Sequence, residues 1–234
     1  MIRSLLAPLL LACATLAHAA DSRAVHPCAA SDTLPARHAL DEHGGPLKVD
    51  TCYAWTDPSG DYRLYWLHSA DRQDGEYTLS KSLAAQLFRK QPDGTLASQW
   101  VIRDKIGEGE AGAWFSRHLS EFPDLDGNGV VTPILVIRFV PAGDGPGEPV
   151  DYGAYAGRLK ILMFRGDTKI AIRAVTGGLD DERHTTASDS FFELPRRQQR
   201  YLQRKMRGLT KDELFVFDDA RDFMPRRDKP AKAK

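Results

Sequence analysis

The body of the chain alternates apolar and polar residues with a period of two, broken at regular intervals by turn residues. Thr51 to Thr56 and Tyr62 to Ser69 read as strands joined by the turn Asp57-Pro58-Ser59-Gly60. In the second of these, Tyr62, Leu64, Trp66 and His68 share one face, and Arg63, Tyr65 and Leu67 the other. Ala84 to Lys90 and Thr95 to Asp104 flank Pro92-Asp93-Gly94, a second hairpin signal. Arg158 to Arg165 and Thr168 to Val175 flank Gly166-Asp167, a two-residue loop suited to a tight hairpin. Pro133 to Val140 does not alternate. Its apolar run, interrupted only by Arg138, predicts a central strand.

Helical signals are fewer. Ala111 to Phe122, with Trp114, Phe115 and Leu119, predicts a short helix. Pro195 to Arg207 predicts another, with Pro at its first position and Gly208 just past its end. The sum is an α+β fold, β-rich and mostly antiparallel, with a sheet built from hairpins and a few short helices in a single domain over 51–225. Residues 20–50, rich in Ala, Pro, His and Gly, predict an extended N-terminal arm. Residues 226–234 read as a disordered basic tail. There is no internal repeat at a fixed period, which argues against a propeller or solenoid.

The first residues change the picture from fold to compartment. Arg3 supplies a positive start, Leu5 to Ala17 an apolar run, and Ala17-His18-Ala19 the small residues of a cleavage site. Residues 1–19 are therefore expected to be a signal peptide, cut after Ala19 or Ala20. The run falls short of the roughly 20 apolar residues of a membrane-spanning helix. No later stretch is long enough, so no transmembrane segment is expected in the mature chain. Leu10-Leu11-Ala12-Cys13 resembles a lipobox, and the alternative is a lipoprotein anchored through Cys13. Either way the expected location is periplasmic or secreted.

Export bears on the cysteines. Cys13 leaves with the signal, and Cys28 and Cys52 are expected to form one disulfide in an oxidising compartment. No CxxC pair points to zinc or to thioredoxin-type chemistry. Loss of residues 1–19 removes Arg3 and no other charge, which leaves 31 basic and 32 acidic residues. A chain so nearly neutral has no global steering toward nucleic acid.

The segment richest in chemistry is Asp124-Leu125-Asp126-Gly127-Asn128-Gly129-Val130-Val131-Thr132. Oxygen side chains stand at Asp124, Asp126, Asn128 and Thr132, and the Val130 carbonyl is available between them. Hard cations such as Ca²⁺ require several oxygens at short range. Leu135 stands where an EF-hand needs a bidentate Glu, so the loop is not an EF-hand. With Thr132 and Asn128 where carboxylates are usual, an ion here would be weakly held and structural. The same residues also suit a metal-free turn whose carboxylates cap backbone amides.

Loop followed by strand resembles the integrin-type (FG-GAP-like) calcium-loop repeats. Farther on come Gly157-Arg158-Leu159-Lys160-Ile161, Lys169-Ile170-Ala171-Ile172-Arg173, Gly178-Leu179-Asp180, Glu182-Arg183 and Leu194-Pro195. Over roughly residues 110–207 this order resembles a family of exported bacterial proteins labelled surface polysaccharide biosynthesis proteins. The resemblance implies an envelope or surface-glycan setting and fixes no catalytic residue. A non-catalytic exported protein is the expectation, with glycan or another envelope protein as partner. The alternative is a glycan-active hydrolase or lyase using carboxylates near Asp124, Asp180 and Glu182. Its mark would be a cleft that joins those three.

The remaining chemistry is diffuse. The histidines form no HExxH pattern, and there is no nucleophile elbow, P-loop or dinucleotide fingerprint. Tyr53, Trp55, Tyr62, Tyr65 and Trp66 cluster on one hairpin, as core or as a sugar platform. Arg196, Arg197, Arg200, Arg204, Lys205 and Arg207 crowd one helix, as a solvated face or as a contact for anionic glycan or lipid.

Overall fold

The computed structural model describes residues 25–74, 77–143, 157–212 and 215–228. The expected signal peptide, residues 1–19, and residues 229–234 of the expected basic tail lie outside them. The described chain is β-rich and mostly antiparallel, as expected, but its strands form two large sheets and a separate two-stranded ribbon rather than one sheet.

The first sheet contains β1 (His26–Pro27), β2 (Lys48–Asp57), β3 (Gly60–His68), β6 (Ser82–Lys90) and β7 (Leu96–Lys105) in the order β1-β2-β3-β6-β7. Between β3 and β6 the short strands β4 (Arg72–Asp74) and β5 (Tyr77–Leu79) make a separate hairpin. The second sheet runs β13-β12-β11-β10-β9-β8, from β8 (Glu110–Phe115) and β9 (Ile134–Pro141) through β10 (Gly157–Arg165), β11 (Thr168–Thr176) and β12 (His184–Ala187) to β13 (Arg226–Arg227). A short helix α1 (Asp189–Phe192) and the long helix α2 (Arg196–Lys211) follow β12.

The sheets pack face to face. Trp55, Leu64, Trp66, Trp100 and Ile102 of the first meet Phe115, Leu135, Ile137, Leu162 and Phe164 of the second in one buried cluster. Trp66 stacks on Phe115 with centroids 5.0 Å apart, and Trp100 on Phe164 at 4.1 Å. The second sheet is covered again on its other face. Ile134, Val136, Leu159, Ile161, Met163, Ile170 and Ile172 pack against Phe191, Leu202, Met206, Leu209, Phe215 and Phe217. Two buried faces explain why β9 carries no polar alternation: Ile134 and Val136 point to the helix, Leu135 and Ile137 to the other sheet.

Among the described residues, 25–47 form the arm: β1 adds to the edge of the first sheet beside β2, and the stretch after it lies over that sheet's outer face. Leu34 and Leu47 pack on Tyr65, Leu67 and Phe88. Cys28 bonds to Cys52, with a Cα–Cα separation of 5.3 Å, and the Cys28 N–H donates to the Cys52 carbonyl at 3.0 Å. Closing this 24-residue loop contributes about 3 kcal/mol in the chain-entropy model. Asp32 sits at the centre of the arm's polar contacts. Arg63 Nε lies 2.8 Å and Lys90 Nζ 3.1 Å from its carboxylate, whose side chain is 7% exposed.

Three expectations need correction. Ala111 to Phe122 does not form a helix: β8 occupies its first half. Trp114 and Phe115 take opposite faces of the second sheet, the period-two solution to burying two adjacent rings. Helix α2 continues through Gly208 to Lys211, because Leu209 buries against the sheet and repays the glycine. The segment 226–228 is part of the fold: β13 pairs in parallel with β12, Arg173 bonds Asp228, and Arg227 bonds Asp189. No helix among the described residues is long and apolar enough to cross a membrane.

Burial alone would raise the pKa of Asp32, but hydrogen bonds and charges from Arg63 and Lys90 outweigh it and hold the carboxyl below its ordinary value. A lowered folded pKa means stability that is present above the unfolded pKa and lost as pH falls through the folded one. Asp32→Asn should therefore cost roughly 3 kcal/mol at pH 7, the scale of breaking a buried ion pair. Denaturant titrations should show that cost shrinking toward zero as the pH falls below the usual aspartate range. A cost independent of pH would refute the ion-pair account.

Candidate functional site

Two regions hold polar chemistry on built frameworks. The first is the Asp/Gly loop between β8 and β9. Its neck is clipped by paired backbone bonds between Glu121 and Ile134, at 2.9 and 2.8 Å, and by Thr132 N–H to the Pro123 carbonyl at 2.9 Å. Inside, the Asp124 carboxylate accepts from the backbone N–H of Gly127 (2.7 Å), Asn128 (3.1 Å) and Gly129 (2.7 Å). Gly127 and Gly129 have φ of +71° and +85°, which turns those amides inward. Asn128 Oδ1 accepts from Val130 N–H at 2.9 Å.

The loop is fastened on both sides. Asp126 Oδ1 accepts from Gln198 Nε2 of α2 at 2.7 Å. Val131 N–H donates to Asp57 Oδ2, at the β2–β3 turn of the opposite sheet, at 3.0 Å. Asp57 is buried and also accepts from Trp55 Nε1 at 3.2 Å and from Ser59 N–H at 2.8 Å. The loop thus ties helix, second sheet and first sheet together at one end of the sandwich. Neither Asp57 nor Gln198 stood out in the sequence, since each looks like an ordinary turn or helix residue.

The predicted oxygen donors are therefore gathered, and their capacity for a cation can be counted. A carboxylate offers about four lone-pair sites. Asp124 has at least three engaged by amides, and Asp126 has one engaged by Gln198. Gln198 is 3% exposed, and its buried Oε1 has no hydrogen-bond partner. Among the described residues no group of three His, Cys, Asp or Glu side chains is spaced to hold a metal, so any ion would depend on amide, hydroxyl and carbonyl oxygens as well.

Asp180 and Glu182 lie far from this loop. They follow β11, whose last residue Thr176 pairs with Gly157 at the start of β10. The Asp/Gly loop precedes β9, whose first residue Ile134 pairs with Met163 near the end of β10. The two sets of carboxylates stand at opposite ends of the second sheet, about 20 Å apart along the strands at the usual rise per residue. Asp180, Asp181 and Glu182 are exposed, and Asp180 pairs with Arg183. Among the described residues, neither of the two best-formed cavities is lined by any of the three carboxylates of the hydrolase reading.

The second region is a cavity of about 590 Å³ beside β8. Ser80 and Ala113 exchange backbone hydrogen bonds at 3.0 and 3.2 Å, which seats the β4–β5 hairpin on β8. The approach is close: a Cβ at Gly112 would fall 2.6 Å from Leu79 Cβ. The hairpin thereby lays Tyr77 on Trp114, stacked with centroids 4.9 Å apart. Arg138 opposes Trp114 in the β8–β9 ladder, with its guanidinium 5.5 Å from the Trp114 ring and 5.3 Å from Phe215.

Polar groups complete the wall. Arg117 donates to the Asp50 carboxylate at 2.8 Å and to the Asp50 carbonyl at 3.1 Å. Burial pushes the His68 pKa below the ordinary imidazole value, so the ring is neutral at pH 7 and can both donate and accept. The cavity can thus hold an apolar ring face while offering hydrogen bonds at its edge. Of the two readings of Tyr53, Trp55, Tyr62, Tyr65 and Trp66, the structure shows the core one: those rings are buried or half-buried between or over the sheets. Tyr77 and Trp114 lie far apart in sequence and meet only through the hairpin. Comparisons with family models, curated proteins and solved structures found no match to this chain.

Proposed function

We propose that the chain is an exported, non-catalytic protein of the bacterial envelope, periplasmic or at the surface, that binds surface glycan through the cavity beside β8. The observation that carries this reading is the stacked Tyr77–Trp114 pair at the wall of a 590 Å³ cavity edged by Asp50, His68 and Arg117. The volume falls in the range of small-ligand sites. An apolar ring face ringed by hydrogen-bonding groups is the chemistry of a sugar residue, whose C–H face stacks and whose hydroxyls bond outward. The leader read in the first nineteen residues, the resemblance to surface-polysaccharide proteins and the Cys28–Cys52 pair support the compartment. The separation of Asp124 from Asp180 and Glu182 supports a binding role over hydrolysis.

The test is titration of the mature chain with short glycans from envelope polysaccharides, followed by tryptophan fluorescence. Trp114→Ala should weaken binding by about tenfold or more, the scale of one lost ring contact, while Trp114→Phe keeps most of it. Absence of binding to any such glycan at millimolar concentration, or equal binding by Trp114→Ala, would rule the reading out.

The Asp/Gly loop is proposed to hold a weak, structural calcium ion through Asp124, Asp126, Asn128, Thr132 and the Val130 carbonyl. Two features support it: the unused lone pairs of Asp126, and the unpartnered Gln198 Oε1 beside it. An ion there would supply charge neutralisation where two carboxylates share a tight turn. With an affinity of about 10⁻⁴ to 10⁻³ M, as in extracellular modules, millimolar calcium should raise the melting temperature by a few degrees over chelator. Asp126→Ala should remove that response. Superimposable heating curves for the wild type would mean a metal-free turn.

A further inference from the structure

Helix α2 has an outer face that its packing does not explain. Its sequence, Arg196 to Lys211, holds seven basic residues and no acidic one. Leu202, Met206 and Leu209 bury against the second sheet. Lys205 turns back to bond Glu121 at 3.0 Å and the Leu119 carbonyl at 2.6 Å. The others face solvent. Arg197, Arg200, Arg204, Arg207 and Lys211 are spaced by three, four, three and four residues. At 100° per residue they fall within an arc of about 80°, and at 1.5 Å per residue they make a straight row about 21 Å long.

Stability does not account for this row. Arg196 and Arg197 occupy the first turn, where the helix dipole disfavours positive charge. Without Glu or Asp in the helix there are no i,i+4 ion pairs to offset the repulsion between neighbours. Among the described residues no acidic side chain pairs with Arg196, Arg197 or Arg200, whereas Arg207 pairs with Asp222. The stretch Arg197–Arg204, which no acid among the described residues neutralises, is complementary on this well-packed helix to a negative partner of the same shape.

The geometry points to a linear anionic polysaccharide lying along α2, held by Arg197, Arg200 and Arg204 and extended toward Lys211. Two observations favour a chain over an anionic bilayer. The row keeps to an arc of about 80°, and the turn carrying the exposed Asp219 and Asp222 borders it at Arg207, so a flat negative surface would meet acids as well. The helix also keeps its apolar residues in the core and has none outward to enter a lipid surface. This surface is separate from the cavity and does not depend on the cavity's binding a sugar.

Polygalacturonate serves as the probe, with dextran as its neutral counterpart and phosphatidylglycerol vesicles as the lipid. Calorimetry of the mature chain at low salt should show binding to polygalacturonate that weakens steeply with added salt, and none to dextran. The triple variant Arg197→Gln, Arg200→Gln, Arg204→Gln should bind at least about tenfold more weakly with a smaller salt slope. Its helical circular dichroism should match the wild type. A charge-matched variant with Lys48, Lys81 and Arg103 changed to Gln should bind as the wild type does; all three are exposed and lie off the helix. The proposal is overturned by no binding to polygalacturonate, by equal losses in the two triple variants, or by tighter binding to the vesicles than to the polysaccharide.

Discussion

The second sheet is buried on both faces, and the rest of the molecule follows from that constraint. Its strands β9, β10 and β11 contribute alternate residues to two cores, one against the first sheet and one against α2. Each fully buried aliphatic or aromatic side chain is worth about 1.5–3 kcal/mol, and here a single strand collects that gain on both sides. Lys160 and Arg173 within these strands are paired, with Asp104 and Asp228, and the polar loops lie at the sheet's ends and beside its edge. The Asp/Gly loop stands at one end, the Asp180–Glu182 loop at the other, and the aromatic cavity beside the β8 edge.

Rigidity follows from the same arrangement. The Asp/Gly loop does not hang from the sheet: Asp57 holds it to the first sheet and Gln198 to the helix. The arm does not hang either, since the Cys28–Cys52 bond and the Asp32–Arg63 pair fix it to the outer face. The two proposed binding surfaces are therefore mounted on firm supports. The Tyr77–Trp114 pair is seated by the Ser80–Ala113 backbone bonds, and the basic row rides on a helix locked by Leu202, Met206 and Leu209. Preorganised groups of this kind lose little freedom on binding.

Much of the fold was legible because it is local. Strand alternation and turn residues marked the three hairpins, and the apolar run of Pro133–Val140, interrupted only by Arg138, marked a central strand that proves to be buried on both faces. The split of Leu64 and Trp66 from Tyr65 and Leu67 across one strand followed from period two alone. Ala111–Phe115 misled because small residues beside two adjacent rings suit a helix as well as a strand, and only the sheet context decides. The division into two sheets was invisible, since hairpin patterns do not say which hairpins stack. The cavity was invisible for the same reason: Tyr77, Trp114 and Phe215 come from three distant segments. The oxygen-rich loop is marked by its Asp, Asn and Gly residues, but its anchors Asp57 and Gln198 are contacts at a distance.

The central claim is that the doubly covered sheet is the framework to which both candidate surfaces are fixed. Native-state hydrogen exchange measures this directly. Amides of Ile134–Val140, Leu159–Phe164 and Ile170–Ala174 should exchange only through global unfolding, with α2 amides around Leu202 and Met206 close behind. The arm and the β4–β5 hairpin should open at lower free energy. If the first sheet proved the most protected, and β9, β10 and α2 exchanged through an earlier, separate opening, the second sheet would not be the framework and the account would fail.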